Sequence, residues 1–238
     1  YMSALNLLSE GEKADFLVTG GWSQKALEEA GRVGDVCAAW DDSDNSFKSV
    51  PKDGEYAIRK DAEYVHYTSN NTLFGTQYQH LPDSGGKPRV VDASSDICGV
   101  PLDVSEHDII YAGAQKNLGP SGVTMVILSP WAMNRGKVGL PTMLDYQTHL
   151  SKGSMFNTPN TSGIFVLDRV LAWVERNGGL EGAVERNRRK AKALYDILDG
   201  GGFWEPHANE GSRSIMNVTW RLADETLEPI FLHEAGEA

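Results

Sequence analysis

Lys116 and Asp92 are the residues whose type and spacing point most directly to chemistry. Lys116 sits in IIYAGAQKNLGPSGVTMVIL (109–128), a single cation between two apolar runs, crowded by Ala112, Gly113, Ala114 and Gly119. Partial desolvation at such a place lowers an amine's pKa and makes it a nucleophile for carbonyl groups. The structural alternative is a lysine at the exposed tip of a strand, since most lysines are solvated. Asp92 closes the run RVVD, 24 residues before Lys116 with one more strand between them, and Ala93, Ser94 and Ser95 follow it. An acid at the carboxyl end of a parallel strand lies where α/β sheets bind ligands, although aspartates also cap turns there. Pyridoxal phosphate (PLP) needs this pair: a lysine for the Schiff base and an acid that keeps the pyridine nitrogen protonated as an electron sink.

Four other positions carry weaker signals. Trp22, in TGGWSQ, follows two glycines at a strand-to-helix junction, where backbone can approach a ligand and an indole can stack on a flat ring. It can equally anchor the helix in the core. Thr72, in SNNTLFG, lies just beyond a strand and alone signifies nothing. Asn157 and Thr158, in SMFNTPNT, offer donors suited to phosphate and are equally suited to loop and helix-cap chemistry. There is no GxGxxG, P-loop, GxSxG or HExxH, and the six histidines are scattered without metal-ligand spacing.

The elements that must position these residues alternate in type. Apolar runs at 14–20, 35–40, 64–70, 89–95, 108–114 and 123–129 read as strands, rich in Val, Ile and Tyr and buried on both faces of a mostly parallel sheet. A helical pattern fills 23–34, and 41–60 is a polar, turn-rich surface excursion. After Ser129–Pro130 the character changes. Residues 136–160 form a connection longer than loops without function usually are. Two helices follow. The first places Phe165, Leu167, Val170, Leu171 and Val174 on an apolar stripe ended by Gly178 and Gly179. The expected division is a large α/β domain over 1–178, with the connection inside it, and over 179–238 a connecting helix and the start of a smaller α+β domain. The opening YMSALNLLSEG and closing DETLEPIFLHEAGEA read as parts of helices, as expected of an internal piece of a longer chain.

With 238 residues, 40% hydrophobic, the chain can bury a substantial core. A formal net charge of −11 argues against a broad nucleic-acid or acidic-membrane surface while allowing a small phosphate pocket. No run is long enough to span a bilayer, and no signal peptide is visible. Cys37 and Cys98 have neither metal-ligand nor disulfide spacing, so a reducing cytoplasm is expected.

Taken together, HYTSNNTLFGTQY, YAGAQKNLGPSGVTMVI, SMFNTPNTSGIFVLDRVLAWVERNGGL and RSIMNVTWRLAD resemble the phosphoserine aminotransferases, in order and along nearly all of the chain. The resemblance implies the fold-type I architecture of PLP enzymes, with a mostly parallel seven-stranded sheet sandwiched by helices, a small α+β domain, and a homodimer with active sites at the subunit interface. It implies exchange of an amino group between glutamate and 3-phosphohydroxypyruvate, giving O-phosphoserine and 2-oxoglutarate, and in bacteria the phosphohydroxythreonine step of vitamin B6 synthesis. By matching motif, Lys116 would bind PLP and move the proton between substrate and cofactor carbons. Asp92 would pair with the pyridine nitrogen, Trp22 would stack on the ring, Thr72 would bond the ring hydroxyl, and Gln115 would contact the phosphate. Asn157 and Thr158 would reach the phosphate of the neighbouring subunit's cofactor. The family's glycine-rich phosphate turn and its substrate-binding His–Arg pairs have no counterpart here. Two other readings therefore stand beside it: another class-V aminotransferase, of the alanine–glyoxylate kind, and a PLP-binding polypeptide without catalysis.

Overall fold

The computed structural model describes residues 1–137 and 139–237; Val138, inside the 136–160 connection, lies outside them. The strands are β1 (Lys13–Val18), β2 (Asp35–Asp41), β3 (Ala62–Thr68), β4 (Asn70–Asn71), β5 (Thr76–Gln77), β6 (Arg89–Asp92), β7 (Ile109–Gly113), β8 (Thr124–Leu128), β9 (Trp204–Pro206) and β10 (Trp220–Leu222). The α-helices are α1 (Met2–Leu7), α2 (Gly21–Ala30), α3 (Pro130–Asn134), α4 (Tyr146–Ser151), α5 (Thr161–Arg176), α6 (Gly179–Leu198) and α7 (Glu228–Glu237).

Six strands form one sheet in the order β2-β1-β3-β6-β7-β8, parallel except for the antiparallel β7–β8 pair. The mostly parallel sheet is as expected, but the count of seven is corrected to six among the described residues. The outer edge of β8, whose residues are half-exposed, pairs with no described strand. Burial follows position. β1 and β3 are buried along almost their whole length, whereas the edge strand β2 is partly open to water. One face packs Phe16, Tyr64, Val90 and Ile109 against Leu7 of α1 and Leu8 just after it, and the other packs Leu17, Val65, Val91 and Ile110 with Ala112 and Leu118. Each Leu, Val, Ile or Phe among them contributes about 1.5–3 kcal/mol of burial free energy. The free energy belongs to folding, but its effect is to fix the strand ends.

Three local expectations change. The 41–60 excursion is tied down rather than merely superficial. Phe47 and Val50 are buried, and Arg59 closes it by donating from Nε to Asp15 Oδ1 at 2.6 Å. The 136–160 connection contains α4 and is clamped by Asn6, which donates to the Leu144 carbonyl (2.7 Å) and accepts from Tyr146 N–H (2.9 Å). The stripe on α5 is narrower than expected. Leu167, Val170 and Val174 are partly covered along with buried Gly163, but Phe165 is 61% exposed and Leu171 is also exposed. At about 100° per residue, positions 163, 167, 170 and 174 share one line, and 165 and 171 fall off it.

Candidate active site

Parallel strands deliver the candidate residues to one end of the sheet. The chain leaves β1 for β2 on one side and returns to β3 on the other, so the topological switch point lies between the carboxyl ends of β1 and β3, where open α/β sheets hold ligands. Trp22 follows β1, Thr72 follows β3, Asp92 ends β6 and Lys116 follows β7. Ser23 shapes the first turn: its Oγ accepts from the N–H groups of Thr19 (2.9 Å) and Gly20 (3.0 Å) and donates to the Gly20 carbonyl (2.8 Å). A side chain at Gly20 would press on Asn71, with a Cβ only 2.4 Å from its Oδ1, so the β1 and β3 loops approach closely only because that residue is glycine.

The lysine, the threonine and the indole converge. Lys116 Nζ donates to Thr72 Oγ1 at 2.8 Å and lies 5.2 Å from the centre of the Trp22 ring. Trp22 is 41% exposed, so it does not anchor the core; it presents a face to the site. Lys116 is open to water along part of its side chain, yet crowding around the amine lowers its pKa by desolvation, with Asp92 and Asp96 pulling the other way. Gly119, at φ +117°, turns the chain away from the lysine with Val170 of α5 against it, so α5 backs the loop that carries Lys116.

Asp92 is held by the turn it begins. Its Oδ1 accepts from Ser94 N–H at 2.9 Å, and its carbonyl accepts from Ser69 N–H at 3.0 Å. Ser94 Oγ in turn accepts from Gly113 N–H at 3.0 Å, locking the ends of β6 and β7 together. Behind this turn lies a buried polar network that sequence reasoning missed, in which Ser69 Oγ and Gln77 Nε2 both bond the Asp96 carboxyl. The sequence shows Asp96 only as a second acid in DASSD, and its partners Ser69 and Gln77 lie 27 and 19 residues away. Lys25 was missed as well; its amine stands 4.9 Å from the Trp22 ring centre, one helical turn along α2.

Gln115 is exposed and folds back over the end of β7, where a Cβ on Gly113 would meet its Oε1 at 2.6 Å. Asn157 and Thr158 are not brought to Lys116 within the chain. Both are exposed, and Asn157 Nδ2 donates to Met143 Sδ at 3.3 Å. Two buried oxygens at this end of the sheet have no partner among the described residues: Thr68 Oγ1, on the register partner of Asp92, and Asn71 Oδ1, beside Thr72. An aromatic face, an amine of lowered pKa, an acid, a hydroxyl and unpartnered polar atoms fit a flat carbonyl cofactor such as PLP. Among the described residues there is no group of three side chains able to hold a metal ion, and no helix is long and apolar enough to cross a membrane.

The chain matches the family described as aminotransferase class-V over residues 1–238. It is 47% identical to the phosphoserine aminotransferase of Lysinibacillus sphaericus over 238 residues, covering all of this chain and 66% of that protein. Its fold superposes on phosphoserine aminotransferase from Bacillus circulans subsp. alkalophilus with a TM-score of 0.94 at 43% identity, covering 99% of this chain and 66% of that one. The PLP-bound phosphoserine aminotransferase of Trichomonas vaginalis gives a TM-score of 0.86 at 30% identity, covering 94% and 63%. The chain thus spans about two thirds of the length of the relatives it matches.

Proposed function

The chain belongs to the class-V aminotransferase family, and from that premise we propose that it uses PLP to exchange an amino group between glutamate and 3-phosphohydroxypyruvate, giving O-phosphoserine and 2-oxoglutarate. The observation that carries this reading is the convergence of Lys116, Thr72 and Trp22 at the carboxyl ends of the parallel strands. The identity to phosphoserine aminotransferases supports the choice of substrate.

PLP, when bound, supplies the electron sink that makes loss of a proton from the amino-bearing carbon feasible. The remaining work falls to the chain's own residues. Lys116, its amine kept less basic by burial, is the group that accepts and returns that proton at Nζ. Asp92 holds a carboxylate oriented by Ser94 N–H, placed to favour positive charge on a ring nitrogen. Trp22 offers one face of the slot, and Thr72 a hydroxyl that accepts from Lys116. Gln115 would contact the phosphate, and Asn157 and Thr158 would serve the site of a second copy. The exposed Met155 and Phe156 beside them, with Ile164 and Phe165 on α5, suit burial in such a homodimer. We extend the same chemistry to phosphohydroxythreonine in vitamin B6 synthesis, and place the protein in the cytoplasm, which suits two free cysteines.

The test is amino transfer from glutamate by purified protein supplied with PLP, using 3-phosphohydroxypyruvate in one assay and pyruvate or glyoxylate in others. Turnover with the phosphorylated acid is the expected result. Turnover with the unphosphorylated acids alone would transfer the chain to another class-V activity. No turnover, with Lys116 still labelled by PLP and borohydride, would leave a cofactor-binding polypeptide without catalysis.

A further inference from the structure

Ser69 faces two acceptors with one proton. Its Oγ lies 2.5 Å from Asp96 Oδ1 and 3.1 Å from the Asp92 carbonyl oxygen. A hydroxyl carries a single hydrogen, so it donates to one of them at a time. The 2.5 Å separation is that of a charge-assisted O–H···O bond. With Asp96 ionised, the Ser69 proton therefore points at Asp96, and the Asp92 carbonyl keeps only the Ser69 N–H at 3.0 Å. The second carboxyl oxygen of Asp96 accepts from Gln77 Nε2 at 3.1 Å. Gln77 cannot reverse its amide without loss, because its Oε1 accepts from Ile215 N–H at 3.0 Å. Oδ2 is thus committed as an acceptor, and a proton arriving on Asp96 must sit on Oδ1. From there it donates to Ser69 Oγ and frees the Ser69 hydrogen for the Asp92 carbonyl.

We propose that Asp96 is a positioning residue for the cofactor-facing acid: its protonation switches the Ser69 hydroxyl between Asp96 and the Asp92 carbonyl, and so sets how the end of β6 is held. This rests on the reading of Asp92 as the acid opposite the PLP ring nitrogen. The network also reaches the segment after α6 through Gln77 and Ile215, so the same proton is felt where the chain returns from its C-terminal part.

The switch operates in a useful range. Asp96 is 2% exposed, and burial pushes its pKa up to about 6, against the bonds from Ser69 and Gln77 and with the charge of Asp92 adding to the rise. The other groups facing it are Lys116 beyond β7 and Tyr67 on β3. Across a cavity of about 320 Å³ stand Arg188 of α6 and, from the connecting loops, His80, Asp103 and His107. At neutral pH the ionised form adds a second negative charge behind Asp92, which raises the affinity of the site for positive charge; on acidification that charge is lost and the Asp92 peptide gains a second donor.

The cofactor-free protein tests this directly. Labelling aspartate with ¹³C at the carbonyl and alanine with ¹⁵N selects the Asp–Ala peptides, which occur only at 61–62 and 92–93. The Asp92 carbonyl resonance is expected to move downfield as pH falls through the Asp96 titration, while that of Asp61 reports whether the fold is intact. Asp96→Asn mimics the protonated acid, because its amide nitrogen donates to Ser69 while its oxygen accepts from Gln77. It should hold the Asp92 resonance at the acid-side position at every pH. Ser69→Ala should remove the shift altogether. A flat Asp92 resonance in the unaltered protein, or a titration that survives Ser69→Ala, overturns the proposal. PLP and borohydride labelling of Lys116 on the same sample keeps the two readings apart. A label with a flat carbonyl resonance removes the switch alone, whereas no label with the titration intact removes the cofactor and with it the role assigned to Asp92.

Discussion

Lys116 Nζ and Thr72 Oγ1 lie 2.8 Å apart although 44 residues separate them in the chain. The bond spans the loops after β7 and β3, over the carboxyl end of β6 where Asp92 sits. A solvated lysine at a strand tip would have no reason to meet this partner beneath an indole. Lys116→Ala should therefore abolish PLP labelling trapped by borohydride and lower amino transfer by about 10²–10⁴-fold, the range of a lost acid–base group. Mass spectrometry of the reduced protein reads the first effect, and a label still found on the variant refutes the assignment.

Thr72→Val removes the acceptor while keeping the side-chain shape. The Lys116 ammonium loses a bond that favours its charged form, so its pKa, already lowered by burial, falls further. PLP affinity should weaken by about tenfold, the equivalent of one hydrogen bond of about 1.4 kcal/mol. Saturating PLP should still label Lys116. Equilibrium titration followed by tryptophan fluorescence measures the affinity, and an unchanged dissociation constant would show that Thr72 holds only the free lysine.

Strand positions and the order of the site residues were legible because buried parallel strands write themselves as apolar runs and place ligand residues at their carboxyl ends. Thr72 signifies nothing alone and Trp22 reads equally as a core anchor, their roles coming from the family resemblance, whereas Lys116 and Asp92 were legible as candidates that way. Asp96 was not, because its meaning depends on Ser69 and Gln77, 27 and 19 residues away, and no local pattern announces that meeting. Phe165 and Leu171 were misread because hydrophobicity at helical spacing does not say whether the face meets the chain's own core or remains open. The clamp from Asn6 to α4 joins residues 140 apart, beyond any window in which periodicity operates.

Acid should destabilise the fold through His66. It is 3% exposed, stacks on Phe16 at 4.8 Å and bonds Tyr111 Oη through Nε2 at 2.8 Å, while its Nδ1 has no partner among the described residues. Burial pushes the pKa down to about 3. Below the ordinary histidine pKa the unfolded chain binds a proton that the folded one refuses, so stability from this group is complete above that value and is lost as pH falls toward 3. At pH 5 the loss is about 2 kcal/mol. Asp96, its pKa raised, works in the opposite direction and loses stability as pH rises toward 6. Comparing urea unfolding of the protein and of His66→Phe at neutral pH and at pH 5 isolates the histidine. An equal drop in both would assign the acid sensitivity elsewhere.

Asn157 and Thr158 provide the sharpest test of a shared site, since both are exposed and neither contacts Lys116 of their own chain. If they serve a second copy, Lys116→Ala and a doubly altered chain carrying Asn157→Ala and Thr158→Val should each be impaired alone. Refolded together as an equal mixture, they should recover activity. A mixed dimer then holds one site with Lys116 from one chain and Asn157 and Thr158 from the other, so about a quarter of all sites become intact in a C2 assembly. If instead each site were built within one chain, every site in the mixture would lack either the lysine or the phosphate donors, and no activity would return. Light scattering on the same mixture checks that dimers form, and recovery without dimers would exclude sharing as its cause.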